Sequence, residues 1–241
     1  MRGTLVIIDG IDGSGKGTLV EALAEHVRTS GGGSRILDLR TYGREQHSLP
    51  QPEELKDTDT IVSAEPTFSL IGRAIRDEIV RHNNREYSAL TTAQAFALDR
   101  YILYKRVILP ALGMGKTVFQ ERGVTTSICY QPIQKEALSV TKILALEGNQ
   151  LAMQHRPDLL ILVKIKPEVA VQRLQARSGK QDQAIFERLD FFRQAQRRFV
   201  APWFRKFFVK AGSRVEYVDT NVPQAQSEKQ VIDIWEAFIN R

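Results

Sequence analysis

The chain has 241 residues, of which 42% are hydrophobic and 26% are charged, and these proportions are typical of a globular protein rather than a disordered or fibrous one. Its formal net charge of +6 favours polyanionic ligands but does not separate nucleotides from nucleic acids. The single cysteine, Cys129, excludes an internal disulfide and a cysteine-cluster zinc site, and no apolar run reaches the length of a transmembrane helix.

Short apolar runs alternate with helical stretches along the whole chain. Residues 5–8 form the first predicted strand, residues 18–28 carry a helical apolar stripe, and residues 35–39 form the second predicted strand. Residues 43–60 are polar and contain two prolines, which predicts a surface excursion or mobile loop. The remaining predicted strands are 61–64, 117–119, 159–165 and a candidate last strand at 215–218, and the remaining predicted helices are 69–82, 91–109, 133–155, 167–176, 182–208 and 229–239.

This alternation predicts an α/β fold in which a doubly wound parallel sheet of about five strands is flanked by helices. We expect a single domain over residues 1–241, with a small lid at about 173–190 and a polar insertion at about 43–60. In such a sheet, ligands bind at the carboxyl ends of the strands. The motifs that follow the first, third and fourth strands all lie there.

The most informative motif joins the first strand to the first helix. The spacing Gly10-x-x-x-x-Gly15-Lys16 is that of a phosphate-binding loop, in which glycines let backbone N–H groups turn towards an anion. The N-terminus of the following helix adds partial positive charge, and Lys16 can reach the terminal phosphates of a nucleotide. The motif therefore predicts nucleotide binding by this segment, which comprises Gly10, Ile11, Asp12, Gly13, Ser14, Gly15, Lys16, Gly17 and Thr18.

Three residues are candidate magnesium ligands, in part through water. A serine or threonine normally follows the loop lysine and places its hydroxyl on Mg²⁺, but here Gly17 comes first and Thr18 second. Mg²⁺ takes few protein ligands beside phosphates and waters, so a hydroxyl one position later is tolerable. Asp12 could hold the metal through water or accept a hydrogen bond from a sugar hydroxyl, and Glu121, at the end of the fourth strand, could support the metal or its waters.

Several basic residues are candidates for phosphate contacts. Arg122, at the end of the fourth strand, can grip a phosphate bidentately. Phe96 and Arg100 share one helix face and could stack on a base and contact a phosphate or base edge, although a core phenylalanine beside a salt-bridged arginine is the plainer interpretation. Arg173 and Arg177 have the same spacing, which suits either a basic lid over transferring phosphates or a solvated helix face.

In their order and spacing, these motifs resemble those of the thymidylate kinase family of P-loop nucleoside monophosphate kinases, over nearly the whole chain. The stretches that carry the resemblance are Gly10 to Lys16, Glu65-Pro66-Thr67 with Ile71-Gly72 and Ile75-Arg76, Phe96 with Asp99-Arg100, Glu121-Arg122 with Thr126-Ser127 and Tyr130-Gln131, and Arg156-Pro157-Asp158-Leu159 with Pro167, Arg173 and Arg177.

The resemblance implies transfer of the γ-phosphate of ATP to dTMP with Mg²⁺ as cofactor, giving dTDP. By position, Phe96 would stack on thymine, Arg100 would contact the base and the acceptor phosphate, and Arg122 would contact that phosphate. The catalytic residues would be Lys16, Arg122, Asp12 and Arg177, and Arg173 would bind ATP together with the loop. Ser127 would face the base or the sugar, and Tyr130 would lie near the deoxyribose. The full substrate-binding set would be Asp12, Glu65, Arg76, Phe96, Arg100, Arg122, Ser127 and Tyr130.

The chain departs from the family pattern at a few positions. Ala64 stands where an arginine usually precedes Glu65, and Gly17 stands where another residue usually follows the lysine. The other departures are Glu121 for aspartate, Gly123 for an aromatic residue, and Ala184 where the lid usually has aspartate, although Glu187 fits; residues 43–60 are also longer than typical. These departures bear on base specificity rather than on phosphoryl transfer.

Alternative functions stay open at this point. In a deoxynucleoside kinase, Glu121 would act as a base on a 5′-hydroxyl, and a broader monophosphate kinase would accept dCMP or dUMP. A P-loop NTPase or regulator without an acceptor is an alternative of another class, although no guanine-reading Asn-Lys-x-Asp segment is present. Nucleic-acid binding is the weakest alternative.

The expected partners are small nucleotides rather than nucleic acid or membrane, and the resemblance suggests a homodimer. The single cysteine fits a reducing compartment, and the N-terminus enters the first strand directly, which argues against a signal peptide. We therefore expect a cytoplasmic protein.

Overall fold

The computed structural model describes residues 2–30, 33–81, 83, 85–176 and 189–240, which are built around a six-stranded sheet. The strands are β1 (Thr4–Asp9), β2 (Ile36–Asp38), β3 (Thr60–Ala64), β4 (Thr117–Glu121), β5 (Leu159–Lys164) and β6 (Arg214–Asp219). All neighbouring strands pair in parallel, in the order β2-β3-β4-β1-β5-β6. The predicted parallel α/β fold is therefore confirmed, and the candidate last strand forms and pairs with β5.

Helices cover both faces of the sheet, because successive side chains of a strand point to opposite sides and both sides are apolar. The helices are α1 (Lys16–Thr29), α2 (Leu39–Gln46), α3 (Leu70–Ala74), α4 (Ala89–Leu103), α5 (Leu109–Gly113), α6 (Val124–Tyr130), α7 (Val140–Leu144), α8 (Glu147–Gln154), α9 (Pro167–Ala176), α10 (Leu189–Phe199), α11 (Pro202–Lys210) and α12 (Gln224–Ile239). On β1, Val6 and Ile8 belong to a core cluster with residues of α1 and α12, whereas Leu5 and Ile7 belong to a second cluster with residues of α4, α5, α6, α8, α10 and α11.

The polar segment at 43–60 is more ordered than the expected loop. Residues 43–46 belong to α2, which begins where Asp38 accepts a hydrogen bond from the backbone N–H of Arg40 at 2.8 Å. A 3₁₀ turn follows at Pro52–Leu55, and the side chains of Leu49 and Leu55 are buried in the core. Burial of a few leucines therefore anchors a segment whose composition is otherwise polar.

Several predicted helices are present with local departures. The helices predicted at 69–82 and 91–109 continue through π-helical turns at Ile75–Val80 and Tyr104–Ile108. The stretch predicted at 133–155 forms two separate helices, α7 and α8, and residues 189–208 belong to α10 and α11, with Pro202 at the start of α11. Residues 177–188, which include Arg177, Ala184 and Glu187 of the predicted lid, lie outside the described residues. In the part of the chain that is described, no helix is long and apolar enough to cross a membrane.

Candidate functional site

The phosphate-binding loop connects the buried end of β1 to the first turn of α1. Gly13 and Gly15 adopt φ angles of 75° and 88°, which favour glycine, and a Cβ atom on Gly13 would lie 2.4 Å from the carbonyl oxygen of Ala170 on α9. The Lys16 ammonium is buried and donates a hydrogen bond to the carbonyl oxygen of Ile11 at 2.7 Å. The loop is thus closed by its own lysine and held against α9.

Asp9, at the end of β1, joins this loop to helix α6. Its buried carboxylate accepts hydrogen bonds from the hydroxyls of Thr125 and Thr126, the latter at 2.7 and 2.9 Å, and from the backbone N–H of Gly10 at 2.8 Å. Charged acceptors give the stronger protein hydrogen bonds. Helix α6 is therefore fixed relative to the loop at the carboxyl end of β1.

A cavity of about 320 Å³ opens beside the loop, at the carboxyl ends of β3 and β4. Its walls come from residues 64–68, α4, α6 and the end of β4, as the predicted parallel topology requires. The sequence-predicted site residues that line it are Asp12, Glu65, Arg76, Phe96, Arg100, Glu121, Arg122, Ser127 and Tyr130. Arg40, Arg44 and Phe68, which the sequence analysis did not single out, line it as well.

Arg122, Asp12 and Tyr130 form a polar cluster between the loop and the cavity. Arg122 donates to one carboxylate oxygen of Asp12, and the Tyr130 hydroxyl donates to the other at 3.3 Å. The same hydroxyl accepts from the backbone N–H of Asp12 at 3.1 Å. Burial raises the pKa of Tyr130 above its ordinary value, so the phenol stays protonated and can donate. The carboxylate of Asp12 is therefore already paired with a guanidinium inside the protein.

Arg100 and Glu65 form a buried ion pair, with only 1% and 4% of their surfaces exposed. Arg100 donates to one carboxylate oxygen of Glu65 at 2.8 and 2.5 Å, and Gln120 donates to the other at 3.0 Å. A further N–H of Arg100 donates to the side-chain oxygen of Asn149, and Ser127 lies 3.4 Å away. This network fixes the plane of the guanidinium at the cavity wall.

The helix that carries Asn149 packs very closely against α4. A Cβ atom on Gly148 would lie 1.8 Å from the carbonyl oxygen of Ala97, so glycine alone permits this distance between α8 and α4. Phe96 precedes Ala97 on α4 and is half-buried at the cavity. The plainer interpretation of Phe96 as a core residue is therefore wrong. The plainer interpretation of Arg100 as a salt-bridged residue is correct for its pairing with Glu65, but Arg100 also lines the cavity.

Burial raises the pKa of Glu65 to about 7, although the charge and hydrogen bonds of Arg100 lower it. The folded chain therefore binds more protons than the unfolded chain between the ordinary pKa of 4.5 and about 7, and the free energy of unfolding should fall as the pH rises through this window. We expect Glu65→Gln to remove this dependence, so that its stability relative to wild type improves by about 1–3 kcal/mol between about pH 5 and about pH 8. Urea unfolding of both proteins at both pH values measures this change in relative stability. A stability difference that did not depend on pH would contradict the raised pKa of Glu65.

Glu121 lies beside the loop position that lacks the usual hydroxyl. A Cβ atom on Gly17 would be 3.2 Å from one carboxylate oxygen of Glu121. Glu121 and Asp12 line the same cavity, whereas Thr18 is half-buried on the first turn of α1 and does not line it. Across the described ranges, no group of three or more His, Cys, Asp or Glu side chains could hold a metal ion by itself. Any magnesium site here would be completed by phosphates and water, which suits the coordination preference of Mg²⁺.

Arg173 lies close to the phosphate-binding loop, as the predicted donor-binding role requires. Its guanidinium donates to the carbonyl oxygen of Thr220 at 2.6 Å and would be 3.8 Å from a Cβ atom on Gly15. The hydroxyl of Ser14, inside the loop, is buried without a hydrogen-bond partner among the described residues. A buried hydroxyl of this kind is suited to bonding a ligand.

Several residues that hold the site together had no role assigned to them from the sequence. Three of them bond to residues predicted from the sequence: Asp9 accepts from the backbone N–H of Gly10, Gln120 donates to Glu65, and Asn149 accepts from Arg100. A fourth, Asp99, accepts from the backbone N–H of Thr67 at 2.8 Å. Gln120 and Asp99 each directly precede a predicted site residue, and Asp9 ends the first predicted strand, so position in the motif was an available signal. No comparable signal marks Asn149.

Comparison with known proteins points to one family. The family model described as "Thymidylate kinase" matches residues 52–222. The chain is 30% identical to a thymidylate kinase of Caldicellulosiruptor saccharolyticus over 86% of both chains, and 31% identical to a probable thymidylate kinase of Pyrococcus abyssi over 74% of this chain and 73% of that one. It is 26% identical to a probable thymidylate kinase of Methanosarcina mazei over 100% of this chain and 99% of that one.

Proposed function

Because the chain belongs to the thymidylate kinase family, we propose that it transfers the γ-phosphate of Mg·ATP to dTMP and releases dTDP and ADP. The observation that carries the proposal is that the phosphate-binding loop and the cavity meet at the Arg122–Asp12 pair. A donor on the loop and an acceptor in the cavity would then place their phosphates on the two sides of one guanidinium.

In this proposal, the chain provides positioning and charge rather than a general base. An oxygen of the acceptor phosphate forms the new bond to the γ-phosphorus, the bond from that phosphorus to the β,γ-bridging oxygen breaks, and ADP leaves with the electron pair. Lys16 and Arg122 neutralise charge as it shifts between the phosphates, and Arg173 and Arg177 add to this from the donor side. The acceptor phosphate is already ionised at neutral pH, so no residue has to remove a proton from it.

The acceptor nucleoside is proposed to lie against α4 and α6. Phe96, at the cavity, would stack on thymine, and the Arg100 guanidinium and Ser127 hydroxyl would meet polar edges of the base. Tyr130 would pack near the deoxyribose, and Asp12 would meet the sugar hydroxyl or the metal. Glu65 holds Arg100, and Arg76 donates to the carbonyl oxygens of Pro66 and Thr67, which shapes the cavity wall.

Magnesium is proposed to be held mainly by ATP phosphates and water, with Glu121, Asp12 and Thr18 as protein groups around it. The support is the position of Glu121 beside Gly17, since a Ser or Thr in that loop position normally contacts the metal. The bound ion would draw charge from the β- and γ-phosphates during transfer. Glu121→Gln is a direct probe of this role, because it should weaken the effect of Mn²⁺ on the melting temperature of the ADP complex.

The finer assignments follow the family resemblance. We propose one domain over residues 1–241, with a lid at about 173–190, and a cytoplasmic homodimer whose partners are nucleotides rather than nucleic acids or membranes. The role of the lid depends on Arg177, which lies outside the described residues.

An ADP-release assay with Mg·ATP and dTMP, dUMP, dCMP, dGMP, AMP or thymidine tests the function. Strong selectivity for dTMP is the expected result. Preference for another monophosphate would retain the reaction and reject the base assignments. Activity with thymidine alone would make Glu121, which lines the cavity, the candidate general base. ATP hydrolysis that no acceptor changes would favour a regulator instead.

Phe96→Ala should raise the KM for dTMP far more than the KM for ATP. The variant loses an aromatic face that lines the acceptor cavity, and stacking on a base is worth about 1–3 kcal/mol, or roughly fivefold to 150-fold in affinity. Steady-state kinetics with each substrate varied in turn measure both constants. Leu98→Ala is a matched control, because Leu98 is exposed on the same helix. An equal rise in both KM values would remove Phe96 from the base site.

A further inference from the structure

We propose that Arg44 of α2 is an additional ligand of the acceptor phosphate and provides the positive charge that Ala64 does not. The inference rests on the proposed function and adds a residue to its acceptor site. Ala64 ends β3 at the cavity, where the family pattern has an arginine before Glu65. The alanine leaves this part of the wall without a charge of its own.

Helix α2 is placed to fill that role from the neighbouring strand. It begins directly where β2 ends, and β2 pairs in parallel with β3, so α2 lies at the same carboxyl edge as Ala64. A Cβ atom on Gly43 would be 3.2 Å from both the backbone carbonyl carbon and the Cβ atom of Phe68. The last turn of α2 therefore rests directly on the segment that follows β3.

Phe68 holds the Arg44 side chain at the cavity. The guanidinium carbon of Arg44 is 4.0 Å from the centre of the Phe68 ring, and that of Arg76 is 3.7 Å from it. All three residues line the cavity. A cation held over a ring keeps its position without an acidic partner, which leaves its N–H groups directed to other acceptors.

Three other arginines at the cavity differ from Arg44, because each of them forms an ion pair with an acidic residue. Arg40 is paired with Asp38 and Glu21, Arg100 with Glu65, and Arg122 with Asp12. In the ranges that the structure describes, no ion pair involves Arg44, and its side chain is exposed.

A phosphate monoester is the kind of ligand that this site fits. It carries a charge of about −1.5 to −2 at neutral pH, and its oxygens match the planar fork of a guanidinium. Occupancy would also offset the repulsion between Arg44 and Arg76, whose guanidinium groups both lie against the Phe68 ring. Arg44 would thus recognise the phosphate of dTMP and not its nucleoside.

Calorimetric binding of dTMP and of thymidine separates these two contributions. We expect Arg44→Ala to weaken dTMP about tenfold to a hundredfold and to change thymidine by less than about twofold, because only dTMP carries the phosphate. Arg44→Lys should lie between wild type and Arg44→Ala, since lysine keeps the charge but lacks the planar fork. Arg73→Ala is the matched control, because Arg73 is an exposed arginine of α3 that does not line the cavity.

The outcomes distinguish this inference from the proposed function. Unchanged dTMP binding in Arg44→Ala, or equal weakening of dTMP and thymidine, would overturn the role of Arg44 while the kinase proposal stands. A wild-type protein without affinity for dTMP would overturn both. The melting temperatures of the variants, measured without ligand, show whether a loss of dTMP binding reflects a change in folding.

Discussion

Replacing Lys16 with methionine should reduce phosphoryl transfer by about 10³-fold or more, the range that follows loss of a preorganised charge at transferring phosphates. Methionine keeps an unbranched apolar chain but removes the ammonium group. In the folded protein this group donates a hydrogen bond to the carbonyl of Ile11, across the loop that would bind the donor phosphates. Single-turnover kinetics at saturating ATP and dTMP measure the loss.

The fold itself should survive this change. The variant loses the hydrogen bond to the carbonyl oxygen of Ile11, and a hydrogen bond from a charged group contributes about 1.5–3 kcal/mol, which in a chain of this size lowers the melting temperature by about 3–12 °C. Lys166→Met is a suitable control, because Lys166 is exposed on the connection between β5 and α9. Near-normal turnover by Lys16→Met would remove the loop from the reaction, and extensive unfolding would make its kinetics uninformative about charge.

Replacing Arg100 with methionine should affect stability and acceptor binding together. The change leaves Glu65 buried without its cation, and such a loss typically lowers the free energy of unfolding by about 3–5 kcal/mol. The pKa of Glu65 is already raised to about 7 beside Arg100, and loss of the guanidinium should raise it further. The deficit should therefore be largest at alkaline pH, where the buried carboxyl group is ionised, and shrink as the pH falls towards 7. Urea unfolding at alkaline and neutral pH measures the first effect, and calorimetry with dTMP measures the second.

A double variant separates the structural role of Arg100 from its role at the cavity. Arg100→Met with Glu65→Gln contains no unpaired buried charge, and Gln120 can still donate to the side-chain carbonyl at position 65. We expect this variant to recover most of the stability and none of the dTMP affinity. If dTMP binding returned with stability, Arg100 would be a structural residue only.

The sequence predicted the architecture well because strand and helix periodicities are local properties. The apolar runs of β1 and β5 and the loop at Gly10 to Lys16 are legible without knowledge of neighbours. The order of strands in the sheet is different, because it depends on which apolar faces pack across long separations in sequence. Helix α2 was missed because most of its residues are polar, and the leucines that anchor its surroundings, Leu49 and Leu55, lie outside it.

In the candidate site, too, some residues could be identified from the sequence and others only from their contacts in the structure. Arg122, Phe96 and Arg100 were identified from spacing and resemblance, and the structure brings them to one cavity. Phe68 and Asn149 were not, since a single phenylalanine in a loop and a single asparagine in a helix have many ordinary roles. Their importance comes from what they contact, which is Arg44 and Arg76 for Phe68 and Arg100 for Asn149.

The contact between Gly148 and Ala97 limits how this enzyme could be redesigned. The two helices are already at the smallest separation that a backbone permits, because no side chain lies between them at this point. If the cavity holds the acceptor base, as proposed above, helix α4 cannot move back towards α8 to accommodate a bulkier one, and extra room would come from smaller side chains on the cavity wall, such as Thr92, Gln131 or Gln134. One wall of the cavity is therefore held in place by a glycine that does not itself line it.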